Sequence, residues 1–112
     1  MAQAEAIAQS LQQMLPAHAE ELLEVSLRAG DFHSARDYSE RLLAIDPANI
    51  EWISKRAKLE LAAGNLGEAL RFADKGLGID SENEEVLELR AAALKKLRTL
   101  LATVGREADD TP

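Results

Sequence analysis

The sequence predicts an all-α fold, an α-solenoid of antiparallel helix pairs. Three observations carry this expectation. Residues 16–49 and 50–83 are the same 34-residue segment written twice, and a fixed period of that size marks a stacked-repeat architecture. Apolar residues recur at three- and four-residue spacing, which lines one face of a helix. Alternation with a period of two, which a half-buried strand needs, never runs beyond a few residues. The expected layout is about two full repeats with an N-terminal helix before them and a long C-terminal helix after. They form a single domain over residues 1–105, with a partial third repeat from 84 and a disordered tail over 106–112.

The elements follow in order. Residues 1–15 carry Ile7, Leu11 and Leu15 at helical spacing with Met14 beside them, which predicts an amphipathic helix with one narrow apolar stripe. Pro16 ends it or starts the next helix, because proline lacks an N–H and disfavours a helical residue before it. The first helix of repeat one is predicted over 17–29, with Ala19, Leu22, Leu23, Ser26 and Leu27 inside. Gly30 supplies the positive φ that closes a helix, and Asp31 is placed to cap the next. The second helix is predicted over 33–45 through Ala35, Tyr38, Leu42 and Ile45. Asp46-Pro47-Ala48-Asn49 is the turn between repeats, with two residues able to cap.

Repeat two restates this pattern. A helix is predicted over 51–63 through Ile53, Ala57, Leu59 and Leu61, and Gly64-Asn65 repeats the tight turn. Asn65 and Glu68 have capping-box spacing. The next helix is predicted over 67–78, with Ala69, Leu70, Phe72, Ala73, Leu77 and Ile79 as its apolar members; Gly76 and Gly78 mark close packing or fraying. Ser81 and Glu84 again have capping-box spacing before a third start. Glu85, Arg90 and Ala91 match Glu51, Arg56 and Ala57 at the 34-residue offset, yet Arg98-Thr99 stands where a Gly-Asp or Gly-Asn turn is due. The helical pattern therefore runs on to about Val104, and Gly105 is expected to stop it.

The period, the Gly-Asp/Asn turn, the alanines Ala35 and Ala69 after it, and the Ile45-Asp46-Pro47 close resemble a tetratricopeptide repeat. The resemblance covers residues 16 to about 96. It implies pairs stacked into a short right-handed superhelix, with the two alanines letting the helices of each pair cross closely. There are departures. Where the family pattern has tryptophan, then Leu-Gly, then tyrosine, repeat one has Ala19, Leu22-Leu23 and Ser26, and repeat two has Ile53, Arg56-Ala57 and Glu60. Trp52, Tyr38 and Phe72 each sit one residue early, and Ser81 replaces the counterpart of Pro47.

The resemblance also implies a function, that of a protein-interaction module whose concave groove takes a peptide segment or helix of another protein. The implied lining is Glu20, Glu24 and Leu27, then Glu51, Ser54, Lys55, Lys58 and Leu61, then Glu85, Glu88, Ala92 and Lys95. One subclass of the family clamps a peptide carboxylate with lysine and asparagine where this chain has Glu20 and Glu24, so that mechanism is rejected. A mixed-charge or basic helix suits the groove better. The alternative is a homodimer or assembly domain acting through Leu97, Leu100, Leu101 and Val104, because an exposed apolar stripe marks an interface.

Composition excludes several other classes. Of the 112 residues 46% are apolar but only 4% aromatic, so the core is aliphatic. A net charge of −7 argues against nucleic acid or an anionic membrane as partner, since both need a basic surface. Without cysteine there is no disulfide and no thiolate metal site. The N-terminus has no basic region followed by an apolar one, and no apolar run approaches the roughly 18 residues of a membrane helix, so a cytoplasmic protein is expected. His18 with Glu21, and His33 with Asp37, each offer two ligands, too few to hold a metal. No glycine-rich phosphate loop and no nucleophile with a base is present. The reading is a non-enzyme without cofactor or metal.

Overall fold

The computed structural model describes residues 15–109, with side chains over 15–105. The helix predicted before Leu15 lies outside the described residues. Five helices follow: α1 (Pro16–Ala29), α2 (Phe32–Ile45), α3 (Ile50–Ala62), α4 (Leu66–Ile79) and α5 (Glu84–Asp109). No strand occurs among the described residues. Each helix packs on its chain neighbour, and α3 packs on α2, α4 and α5. The stack of helix pairs is therefore centred on α3.

The two repeats share their joints down to single hydrogen bonds. Gly30 and Gly64 adopt φ of 73° and 83°, the left-handed conformation that closes a helix without a Cβ penalty. Behind them the Asp31 amide donates to the Ser26 carbonyl at 2.9 Å, and Asn65 to Glu60 at 2.8 Å. In the turns between repeats, Asp46 accepts from the Ala48 amide at 3.2 Å and Asp80 from Glu82 at 3.1 Å. Asn49 caps α3 through the Trp52 amide at 3.1 Å, and Asn83 caps α5 through Val86 at 3.0 Å. Pro16 begins α1.

Two expected capping boxes do not form. Asn65 makes no side-chain cap, because its amide group donates instead to Glu60 at 2.8 Å, while Glu68 pairs with Arg71. At the third start the cap is Asn83 rather than Ser81. The end of α5 also differs from expectation. The helix passes through Gly105 to Asp109, so it takes in the first four residues of the segment read as a disordered tail; the last three lie outside the described residues. Glycine terminates a helix where the backbone turns left-handed, and Gly105 does not. At about 1.5 Å per residue, the 26 residues of α5 span about 39 Å.

The core has two centres. One joins Ala19, Leu23, Ala35, Leu42, Trp52 and Leu59; the other joins Ile53, Ala57, Phe72, Ala73 and Val86. Ala35 and Ala69 are buried at the helix crossings, as their small size allows. Ile45 and Ile79 do not join the core: each is the last residue of its helix and stays largely exposed.

The two glycines of α4 separate cleanly. A Cβ on Gly76 would lie 3.3 Å from Ile50 Cδ1 and from both γ-carbons of the fully buried Val86, whereas one on Gly78 meets nothing. Gly76 is a close-packing position and Gly78 is not. Gly78→Ala is expected to raise stability by about 0.5–1 kcal/mol through helix propensity. Gly76→Ala should melt at or below the wild type. Thermal melts of the two variants followed by circular dichroism check the contrast.

Candidate functional site

Eight of the twelve predicted groove residues fall into three groups. At the α1 end they engage each other. Glu20 accepts a hydrogen bond from the Trp52 indole N–H, and the Lys55 ammonium lies 3.2 Å from the Glu24 carboxylate. Both contacts join α1 to α3. They engage groups that were expected to face a ligand, and the Lys55–Glu24 pair offsets charge as well. A shallow surface depression of about 460 Å³ remains there, edged by Glu20, Glu21, Glu24, Val25, Arg28 and Lys55.

A second group lies inward. Ser54 is buried at 3% exposure and borders no open surface. Leu27 packs against the first core centre, and Leu61 is half-buried. The expectation that Ser54 lines a groove is therefore corrected: it sits on the packed side of α3, next to Ile53. Glu51, Lys58, Glu85 and Glu88 are exposed.

The third group forms the open end. Ala92 and Lys95 of α5 border a cleft of about 530 Å³ with Gly64, Leu66, Lys96, Thr99 and Leu100. The cleft is the corner where α5 runs past the α3–α4 turn. Its geometry follows from the missing third turn. At the 34-residue offset Leu100 corresponds to Leu66, which begins α4 and is 8% exposed; Leu100 stays in the helix and is 56% exposed. Leu101 and Val104 are exposed as well, and Leu97 is half-buried. Thr99 and Thr103 satisfy their hydroxyls on carbonyls one turn back, at 3.0 and 2.9 Å, so the helix continues without polar groups left over.

A buried ionic cluster lies between the pairs, and sequence reasoning did not find it. Glu60 is 1% exposed. Its carboxylate accepts from Arg36 Nε at 2.8 Å and from Arg36 Nη2 at 3.3 Å, a bidentate contact from α2. Asn65 Nδ2 donates at 2.8 Å from the α3–α4 turn. Arg56 Nε is 3.3 Å from the same carboxylate but outside hydrogen-bond geometry, so it contributes charge alone. The Arg56 and Arg71 guanidinium groups lie 4.8 and 4.5 Å from the centre of the Phe72 ring. Burial is the largest single influence on Glu60 and opposes its ionisation. The hydrogen bonds from Arg36 and Asn65, with the charges of Arg36 and Arg56, together outweigh it and hold the carboxyl below its ordinary range. The signal available in the sequence was that Arg56 and Glu60 stand one turn apart at two positions where the family pattern is apolar or aromatic.

The remaining chemistry is sparse. His33 Nε2 lies 3.9 Å from Asp37 with both side chains exposed, and no group of three metal-ligating residues occurs among the described residues. No helix among them is long and apolar enough to cross a membrane.

Among known families, the tetratricopeptide repeat matches residues 26–93, from the last turn of α1 through α2, α3 and α4 into α5. No curated protein matches the chain. Repeats of this kind are generally protein-interaction modules, and the family is typically a non-enzymatic scaffold. With more than half of its length matched, and with its turns, caps and crossing alanines repeating at the expected interval, this chain belongs to the tetratricopeptide repeat family.

Proposed function

We propose that the protein binds a polypeptide segment of another protein on the α3–α5 side of its concave face. The observation that carries this reading is the contrast between the two ends of that face. At α1 the polar groups are engaged within the molecule, Glu20 by Trp52 and Glu24 by Lys55. At α5 the cleft has an apolar floor of Leu66, Ala92 and Leu100, and its rim residues Lys95 and Lys96 have no ion-pair partner among the described residues. A concave apolar floor with a few polar groups at its edge is the usual form of a binding site.

Selection from an unbiased peptide display library tests this. Peptides retained by the wild type should lose at least about tenfold in affinity on Leu100→Asp, a change at an exposed position. Lys55→Glu with Lys58→Glu should alter binding little, since Lys55 already has a partner. The reverse pattern would move the site to the α1–α3 face and overturn the proposal. A second reading is supported by the exposure of Leu100, Leu101 and Val104, at 56%, 62% and 61%: a homodimer through Leu97 and these residues. Light scattering that finds a dimer, lost on Leu101→Asp, would favour it.

A further inference from the structure

The 34-residue register continues into α5, where Val86 and Ala93 are buried like Trp52 and Leu59, but on one neighbouring face burial does not follow it. Ala19 and Ile53 are 3% and 0% exposed, whereas Leu87 at the same register is 43% exposed. Leu23 and Ala57 are fully buried, and their counterpart Ala91 is exposed. Ser26 and Glu60 are buried, and Leu94 is only half-buried. The cause lies in what covers each helix. Ala19 and Leu23 cluster with Ala35 and Leu42 of α2, while Ile53 and Ala57 cluster with Phe72 and Ala73 of α4. In the third unit the chain makes no turn. The residues that would fold back over α5 remain within α5, and no described helix follows it to cover this face completely.

We propose that a different protein supplies the missing second helix, packed antiparallel on α5 as α4 packs on α3. The partner segment is an amphipathic helix of about 14 residues, the length of α2 and α4. It carries a small residue at the crossing and an aromatic residue three positions later, as in Ala35–Tyr38 and Ala69–Phe72. Charge gives it a direction. By helical spacing, Glu84 and Glu88 flank the first half of this face, and Lys95 and Arg98 flank the second. An antiparallel helix meets Lys95 and Arg98 with its N-terminal half, so acidic residues belong there and basic ones later. The chain's own α4 likewise begins with Glu68 and carries Arg71 and Lys75 later, with Asp74 between them paired to Arg90 of α5. A second copy fits less well, because its α2 and α4 already bury Leu42, Phe72 and Ala73.

The test uses the full chain and a labelled peptide of residues 66–79, held helical by a staple across the exposed positions of Asp74 and Gly78. A short peptide is marginally helical in water, so the staple removes that variable. The expected result is saturable binding by fluorescence anisotropy, weakened at least about tenfold by Leu87→Lys with Leu94→Lys. Binding should be unaffected by Leu100→Asp, which separates this face from the cleft. Substituting the peptide's aromatic, Phe72→Ala, should abolish it. Three results would overturn the proposal: no saturable binding by a chain whose helicity and melting are normal; binding lost on Leu100→Asp but not on Leu87→Lys with Leu94→Lys; or a dimer in light scattering that dissociates on Leu87→Lys and excludes the peptide. Each leaves the cleft reading standing or failing on its own experiment.

Discussion

Glu60→Ala is expected to destabilise the protein by about 3–5 kcal/mol, the cost of removing the shared anion from a buried ionic cluster. That is a large share of the roughly 5–15 kcal/mol by which a single domain is stable. The loss falls on two guanidinium groups unequally. The Arg36 side chain is 32% exposed and can turn to water, whereas that of Arg56 is 8% exposed and keeps only Glu40, 3.6 Å from its Nη2. Asn65 also loses its acceptor. The complementary experiment replaces the two buried charges together and leaves Arg36, which can turn to water. Arg56→Leu with Glu60→Tyr restores the residue types of the family pattern and should stay within about 1 kcal/mol of the wild type, because exchanging a buried ion pair for packed apolar volume is commonly neutral or better. Urea denaturation of the three proteins distinguishes an ion pair that stabilises from one that is costly only to break.

The same carboxylate gives the protein an acid dependence whose sign is fixed by its shift. The folded-state pKa of Glu60 is lowered. Its stabilisation is therefore complete above the unfolded value, about 4.3, and is lost as pH falls through the lower folded value. The stability difference between wild type and Glu60→Gln should accordingly be widest near neutrality and shrink under acid. A difference that stays constant with pH would show that the charge of Glu60 is not what holds the cluster together.

Trp52→Ala should cost about 3–5 kcal/mol, the range for removing a large buried aromatic side chain. Trp52 is 7% exposed and belongs to the core centre that also holds Ala19 and Leu23 of α1, Ala35 and Leu42 of α2, and Leu59 of its own helix. That centre joins three helices, and Trp52 is its largest member. Trp52→Phe keeps most of that volume but removes the donor to Glu20, and should cost about 1 kcal/mol, since the half-buried Glu20 retains access to water. Because Trp52 is the chain's single tryptophan, circular dichroism rather than fluorescence must follow these variants.

The pairs were legible because their signals are local. Gly30-Asp31 and Gly64-Asn65 mark turns within a few residues of sequence, and the alanines that follow mark the crossings. The absence of such a turn at Arg98-Thr99 correctly foretold the overrunning helix. Side-chain partnerships across the fold were not legible. Lys55 was placed on a face, but its partner Glu24 lies on another helix 31 positions earlier. Arg36 and Glu60 are 24 positions apart and meet only once α2 stacks on α3. Trp52 read as an aromatic out of register; its displacement by one residue turns it toward α1 and α2 instead of leaving it outside. Gly105 misled because a glycine permits a left-handed turn without compelling one.

The duplicated joints have a consequence for motion. Asp46 and Asp80 make the same turn, and Asn49 and Asn83 the same cap, so adjoining units are coupled through the same local bonds. Such a molecule behaves as a short linear array in which each unit is steadied chiefly by its neighbours. Among the described helices α1 packs chiefly on α2, whereas α3 is enclosed by α2, α4 and α5. Transient opening therefore begins at the two ends and reaches α3 last. In hydrogen–deuterium exchange the amides around Ala57 should be the slowest of the chain, and those of the overhanging end of α5 among the fastest.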